Sequence, residues 1–161
     1  MSKLALDRLK DRFGDAITST HSRLGDDTAV VTREKILDVL GFLRDDPELQ
    51  FNMCSDLTCV DYFTREPRFE VVYHLYSTTK KKRVRVKVGL AEDDATIASS
   101  VAIWSGNNWL EREVFDMFGV RFEGHPDLRR LFMYGSFEGH ALRKDYPKDK
   151  RQPLARREGL T

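Results

Sequence analysis

The run Lys82-Arg83-Val84-Arg85-Val86-Lys87-Val88 constrains this chain more than any other stretch. Three valines alternate strictly with Arg83, Arg85 and Lys87, and a period of two belongs to a β-strand. One face of such a strand must be buried while the other stays wet, which demands a sheet covered by apolar groups on one side. Upstream, Phe69, Val71, Tyr73 and Leu75 repeat the same period, and Ser77-Thr78-Thr79-Lys80 supplies a turn between the two runs. Phe51 to Phe63 is rich in strand formers and is separated from Phe69 by the turn signal Thr64-Arg65-Glu66-Pro67. Three strands joined by short turns predict an antiparallel meander.

Helical periods flank this meander. Leu6, Leu9 and Phe13 place a short amphipathic helix over residues 2–13, ended by Gly14. Ala16–Thr20 and Thr28–Val31 read as short strands around a polar loop. Ile36, Leu40 and Leu43 mark a second helix, with Thr32 as its expected cap and Pro47 beyond its end. The third helix is expected over Asn108–Phe118, with Leu110, Val114, Met117 and Phe118 as its apolar stripe. Asn108 and Glu111 fit a capping pair, and Gly119 stands where a left-handed terminator is wanted. The fold class that follows is α+β: an antiparallel or mixed sheet flanked by helices, over residues 1–119. From Val120 onward both periods fade, and residues 120–161 are expected to form an extended, irregular C-terminal segment.

Composition excludes several function classes. The formal net charge of +1 gives no bulk field toward nucleic acid or an anionic membrane. Cys54 and Cys59 are too few for an iron–sulfur cluster, and His21, His74, His125 and His140 are scattered, so no metal ligands are expected and both cysteines read as packing residues. The charged N-terminus has no apolar signal region, and no run reaches the ~18 apolar residues that would cross a bilayer. No phosphate-binding or dinucleotide glycine loop, zinc-helix motif or nucleophile elbow is present. Glu111 and Glu113 are two apart on a helix and do not share a face, so they make a poor acid–base pair. His125 precedes Pro126, which holds it extended, and a structural hydrogen bond is the expected role. No catalytic and no cofactor-binding residue is therefore assigned.

Two charged features remain. The basic face of Lys81–Lys87 fits a solvated sheet face or a protected edge strand better than a phosphate track, because the strand interleaves no aromatics. Tyr76 and His74 are placed to lie across from it. The third helix carries Glu111, Arg112, Glu113 and Asp116. Asp116 sits in the last turn, where the helix dipole disfavours a carboxylate, so a cation from elsewhere is needed. Arg112 is four residues away, and Arg121, Arg129, Arg130, Arg143 and Lys144 follow. A compact ion-pair network joining this helix to the C-terminal segment is expected. Ordering about forty residues costs ~1–2 kcal/mol each. About a dozen apolar side chains at ~1.5–3 kcal/mol apiece do not offset that. Phe122, Leu128, Leu131, Phe132, Met133, Phe137, Leu142 and Tyr146 are accordingly expected to lie on another protein's surface.

Three stretches carry a family resemblance: Glu111-Arg112-Glu113-Val114-Phe115-Asp116-Met117-Phe118-Gly119, then Phe122-Glu123-Gly124-His125-Pro126-Asp127-Leu128-Arg129-Arg130-Leu131, then Leu142-Arg143-Lys144-Asp145-Tyr146-Pro147. Together with Asp56-Leu57-Thr58, Asp61-Tyr62, Arg68 to Leu75 and Arg83 to Val88, they resemble the C-type, or 30-kilodalton-type, subunit of NADH–quinone oxidoreductase (respiratory complex I). The chain departs from that pattern at Phe137, where the family usually has Trp, and at Ala141, where it usually has Pro. The resemblance implies a non-catalytic scaffold of the peripheral arm of the proton-translocating enzyme. The related alternative is the equivalent subunit of a membrane-bound hydrogenase or ferredoxin-linked quinone oxidoreductase. It implies that FMN, iron–sulfur clusters, NADH and quinone are bound by other subunits. The implied partners are a D-type quinone-site subunit and neighbouring iron–sulfur subunits. No nucleic acid is implied, and membrane contact comes only through partners at the cytoplasmic face of the bacterial cell membrane. A stand-alone subunit, rather than one fused to the D-type partner, is implied as well.

Overall fold

The structure is a computed structural model that describes residues 3–153. Ser2 and the stretch beyond Pro153, both within expected elements, lie outside the described residues. Helix α1 spans Lys3–Phe13, and a 3-10 turn, Gly14–Ala16, leads into β1 (Ile17–Arg23) and β2 (Asp26–Val31). The two strands are joined through Leu24 (φ 56°) and Gly25 (φ 84°), a two-residue hairpin of the primed type that suits sheet twist. Leucine is an unusual residue for that conformation, which hid the tight hairpin inside an expected polar loop.

Thr32 does not cap the next helix as expected. Its side chain makes no capping bond, and a 3-10 turn, Arg33–Lys35, intervenes before α2 (Ile36–Asp45). The meander follows as β3 (Met53–Asp61), β4 (Phe69–Ser77) and β5 (Lys82–Leu90), paired antiparallel. Strand β2 joins β5 in parallel, so the five-stranded sheet is mixed, in the order β1-β2-β5-β4-β3.

The alternation seen in the sequence decides which face is inside. Phe69, Val71, Tyr73, Val86 and Val88 are fully buried, and Leu75 and Val84 nearly so. They form one apolar cluster with Ala5, Leu6 and Leu9 of α1, Ile36, Val39, Leu40 and Leu43 of α2, and Val114 of the third helix. On the outer face the basic row finds cross-strand partners. Arg83 stands opposite Tyr76 and Arg85 opposite His74. Arg83 stacks over the Tyr76 ring at 5.5 Å, Lys87 Nζ lies 2.6 Å from Glu70, and Arg85 lies 3.2 Å from Asp26. Strand β5 is therefore an interior strand with a solvated, charge-paired face, not an edge.

Helix α3 (Asn107–Phe118) lies against β3, and a small parallel pair, β6 (Thr96–Ala98) with β7 (Arg121–Glu123), flanks it. Val120 and Phe122 are buried in the core. The compact body thus runs to Glu123, four residues past Gly119. Residues 124–153 contain turns and bends but no helix or strand.

Candidate functional site

Helix α3 buries charge as well as apolar surface. Asn107, Glu111, Val114 and Met117, spaced three or four apart, face inward, and Arg112 and Asp116 are buried beside them. Glu113 is exposed, so the two glutamates do point apart. The expected Asn108–Glu111 capping pair does not form, because Glu111 is engaged elsewhere. Its Oε2 accepts the Ser99 hydroxyl at 2.7 Å, and its Oε1 accepts the Ser100 amide and hydroxyl, both at 2.7 Å. Burial pushes the Glu111 carboxyl up from its ordinary value, and the serine donors only partly oppose that. It ties the loop before α3 to the helix itself.

Asp116 sits in the last turn, and its partners come from the segment beyond Glu123. Oδ2 accepts the backbone N–H groups of Leu131 (3.0 Å), Phe132 (2.8 Å) and Met133 (2.9 Å), while Oδ1 accepts Arg130 Nη1 at 2.7 Å. Burial opposes ionisation of Asp116. The Met133 amide, Arg130 and the other two amides outweigh it and hold the pKa below the ordinary carboxylate value. Arg112 does not pair with Asp116. Its Nε donates to the Arg129 carbonyl at 3.1 Å and its Nη2 to the Arg130 carbonyl at 3.2 Å. The expected network between helix and segment exists, with Arg130 as the cation and backbone amides as most of the donors.

A second set of anchors lies on the sheet. Asp61 ends β3 and Arg68 precedes β4, and both side chains are almost wholly buried. Arg68 donates to Asp61 through Nε (3.0 Å) and Nη2 (2.9 Å), and to Asp145 through Nη2 (2.8 Å). It also pairs with Glu92. Asp61 Oδ2 accepts the Lys144 amide at 2.8 Å. Burial works against the Asp61 charge, but Arg68 and the Lys144 and Phe63 amides draw its pKa down to about 2. Leu142 N–H donates to the Met117 carbonyl (3.1 Å) and Arg143 Nε to the Phe118 carbonyl (2.6 Å). The guanidiniums of Arg68 and Arg143 each lie 5.0 Å from the centre of the buried Phe69 ring.

Gly119 is required twice here. It adopts φ 79°, donating its N–H to the Phe115 carbonyl as the left-handed terminator expected. A Cβ there would meet His140 Nε2 at 2.5 Å and Arg143 Nη2 at 2.7 Å, so the overlying segment also needs the missing side chain. His125 has the structural role expected of it. Its Nδ1 accepts the Asp127 amide at 3.0 Å, which fixes the proton on Nε2, 3.1 Å from the Asn108 carbonyl.

The apolar residues of the segment behave differently from the estimate. They lie on this chain's own body, not wholly on another surface, because polar anchors that an apolar count omits offset the ordering cost. Phe122 is buried, whereas Leu128, Leu131, Met133, Phe137 and Tyr146 are half-buried. Phe132 and Leu142 remain 60% and 53% exposed, and Trp109, in the first turn of α3, is 60% exposed with Arg112 stacked on it at 4.9 Å. Sequence reasoning missed Trp109, whose signal was an aromatic off the buried face of the helix. It also missed Asp61, Arg68 and Phe69 as the seat of the Leu142–Asp145 turn. Among the signature residues, Pro126, Asp127, Arg129, Lys144 and Pro147 are exposed, and the Asp127–Arg129 pair is solvated. Gly124 is exposed at the surface end of β7.

Burial pushes the Cys54 and Cys59 thiols up to about 12. Among the described residues no group of three metal-ligating side chains comes together, and no helix is long and apolar enough to cross a membrane.

The family model for the respiratory-chain NADH dehydrogenase 30 Kd subunit matches residues 29–152. The chain belongs to this family. The C-type subunit of NADH-quinone oxidoreductase from Roseiflexus sp. (strain RS-1) is 51% identical over 142 residues, covering 88% of this chain and 82% of the relative. That of Geobacter sulfurreducens is 46% identical over 144 residues, covering 89% and 88%. Among solved structures, one described as Nqo5 of the trypsin-resistant fragment (1-134) superposes with a TM-score of 0.67 at 32% identity, covering 77% of this chain and 99% of that one. A chain of the archaeal membrane-bound sulfane sulfur reductase shares the fold, with a TM-score of 0.73 at 23% identity over 91% and 85%. Around α3 the signature residues Glu111, Arg112, Asp116, His125 and Arg130 are internal fastenings, whereas Pro126, Asp127, Arg129 and Lys144 face water. They shape a surface from which Trp109, Phe132 and Leu142 protrude.

Proposed function

We propose that this chain is the C-type subunit of the peripheral arm of a proton-translocating NADH–quinone oxidoreductase, a scaffold with no catalytic centre of its own. The observation that carries the reading is the family match across residues 29–152, which spans the whole charged signature. In this reading FMN, the iron–sulfur clusters, NADH and quinone belong to other subunits. The docking face is the surface of α3 and its overlying segment. There Trp109 on α3, and Phe132 and Leu142 on the segment that polar anchors fasten to it, are apolar groups left uncovered. Exposed aromatics on a fixed backbone, flanked by a solvated arginine such as Arg129, are the usual anchors of a protein interface. The partner proposed is the D-type quinone-site subunit, with iron–sulfur subunits alongside, at the cytoplasmic face of the membrane.

The test is co-purification from membranes with Trp109→Ala combined with Phe132→Ser. The expected outcome is that co-purifying subunits fall by more than half while the isolated variant melts as the parent does. An unchanged yield of complex overturns the docking face. Reduction of the purified assembly by hydrogen or reduced ferredoxin in place of NADH selects the equivalent subunit of a related enzyme instead.

A further inference from the structure

The two anchors of the C-terminal segment differ in what opening them would leave behind. At the inner anchor Asp116 is fully buried, and all four of its donors come from residues 130–133. Lifting those residues would take all four donors from the Asp116 carboxylate at once, and removing the partners of a buried charge is strongly destabilising. At the outer anchor Leu142–Asp145 also binds the Met117 and Phe118 carbonyls, but the buried charges of its seat stay paired without it. Were Asp145 to leave, Arg68 would keep Asp61 on two nitrogens and Glu92 on a third contact. Were the Lys144 amide to leave, Asp61 would keep Arg68 and the Phe63 amide, the latter at 2.8 Å. The outer carboxylate is itself 43% exposed, so its pairing is screened by water and salt.

We propose that the stretch from Leu142 to Asp145 is a latch that opens and closes on the Asp61–Arg68–Phe69 seat while residues 130–133 stay fastened. The aromatic cluster between the anchors bridges base and latch: Phe137, under the Arg130 guanidinium at 5.7 Å, stacks on Tyr146 at 5.9 Å, and Gln152 Nε2 donates to the Tyr146 hydroxyl at 2.7 Å. Two bonds link the anchors, from Arg130 Nη2 to the Gly139 carbonyl (3.0 Å) and between His140 Nδ1 and the Asp116 carbonyl (2.9 Å). Both attach on the inner side of Leu142 and hold the base of the latch; beyond its tip Gln152 exchanges bonds with the Glu138 backbone (2.9 and 2.8 Å) and Pro153 accepts the Tyr134 hydroxyl (2.8 Å), so the chain returns to its own segment and not to the sheet. This device does not rest on the proposed partner, because seat and latch belong to the same chain.

Amide exchange on the isolated full-length chain, read by mass spectrometry, tests it. In the parent protein the amides of residues 142 and 144 are expected to exchange slower than an unstructured chain, and those of 131–133 slower again by about tenfold or more. Asp145→Asn is expected to speed residues 142 and 144 by about fivefold or more and to leave 131–133 within about twofold. Raising the salt concentration on the parent protein should reproduce the same split. Equal acceleration of both stretches would show one cooperative unit and overturn the latch. Exchange of 142 and 144 at the unstructured rate in the parent would overturn it too.

Discussion

The meander and the C-terminal segment are held by opposite means. Strands β3, β4 and β5 bury an unbroken apolar face: Phe69, Val71, Tyr73, Val86 and Val88 are inaccessible to water. Residues 124–153 bury few apolar groups and have no regular hydrogen-bond ladder. They are fixed where backbone amides reach two buried carboxylates, Asp116 and Asp61. Apolar stabilisation is spread over many side chains, so each substitution takes a share of it. Carboxylate anchoring is concentrated, so the few bonds to one side chain carry much of the order of a whole stretch.

The sharpest way to break this comparison is Asp116→Ala. Removing the carboxylate that accepts three amides and Arg130 Nη1 should cost ~3–5 kcal/mol. Chemical denaturation should register that loss, and amide exchange should confine it to residues 124–153 with β3–β5 still protected. Loss of protection throughout would show that the two regions are not separate. Leu75→Ala should cost ~2–5 kcal/mol through a core cavity, lowering the midpoint for every region together. A local effect there would remove the distinction from the other side.

Acid sharpens the contrast with a smaller effect. Asp61 and Asp116 have folded pKa values below the ordinary one. Their contribution is therefore complete above the unfolded value of ~4 and fades as pH falls through the folded values, about 2 for Asp61. Glu111 is shifted upward, so its contribution is greatest at low pH and is lost as pH rises through its folded pKa. As pH falls toward the folded value of Asp61, about 2, the amides of 131–133 and of Lys144 should lose protection relative to an unstructured chain at the same pH, while the Ser100 amide bound to Glu111 should keep it.

The same contrast explains what could be read from the sequence. Alternation around Val84–Val88 and Phe69–Leu75 announced the meander and placed Tyr76 and His74 across from the basic strand, because a strand's period maps directly to its faces. Gly119 was legible for the same local reason. The parallel join of β2 to β5 left no trace, since pairing partners far apart in the chain do not alter local period. Asp116 was recognised as a misplaced charge needing a distant cation. That its chief donors would be main-chain amides was invisible, because every residue carries one. The Asn108–Glu111 cap failed for a related reason: Glu111 met three stronger donors in Ser99 and Ser100 that only the folded loop brings near.

The parallel contact between β2 and β5 also sets an order of events. Thr28, Ala29 and Val30 lie beside Arg85, Val86 and Lys87, with α2 and two strands of the meander between them in the chain. The β1–β2 hairpin closes over two residues, and β3 to β5 close through short turns, so each half can assemble from near neighbours. Joining them closes the longest loop in the sheet, and such closures are slow because entropy is spent before contacts reward it. The seam between hairpin and meander is therefore where refolding of this protein should wait.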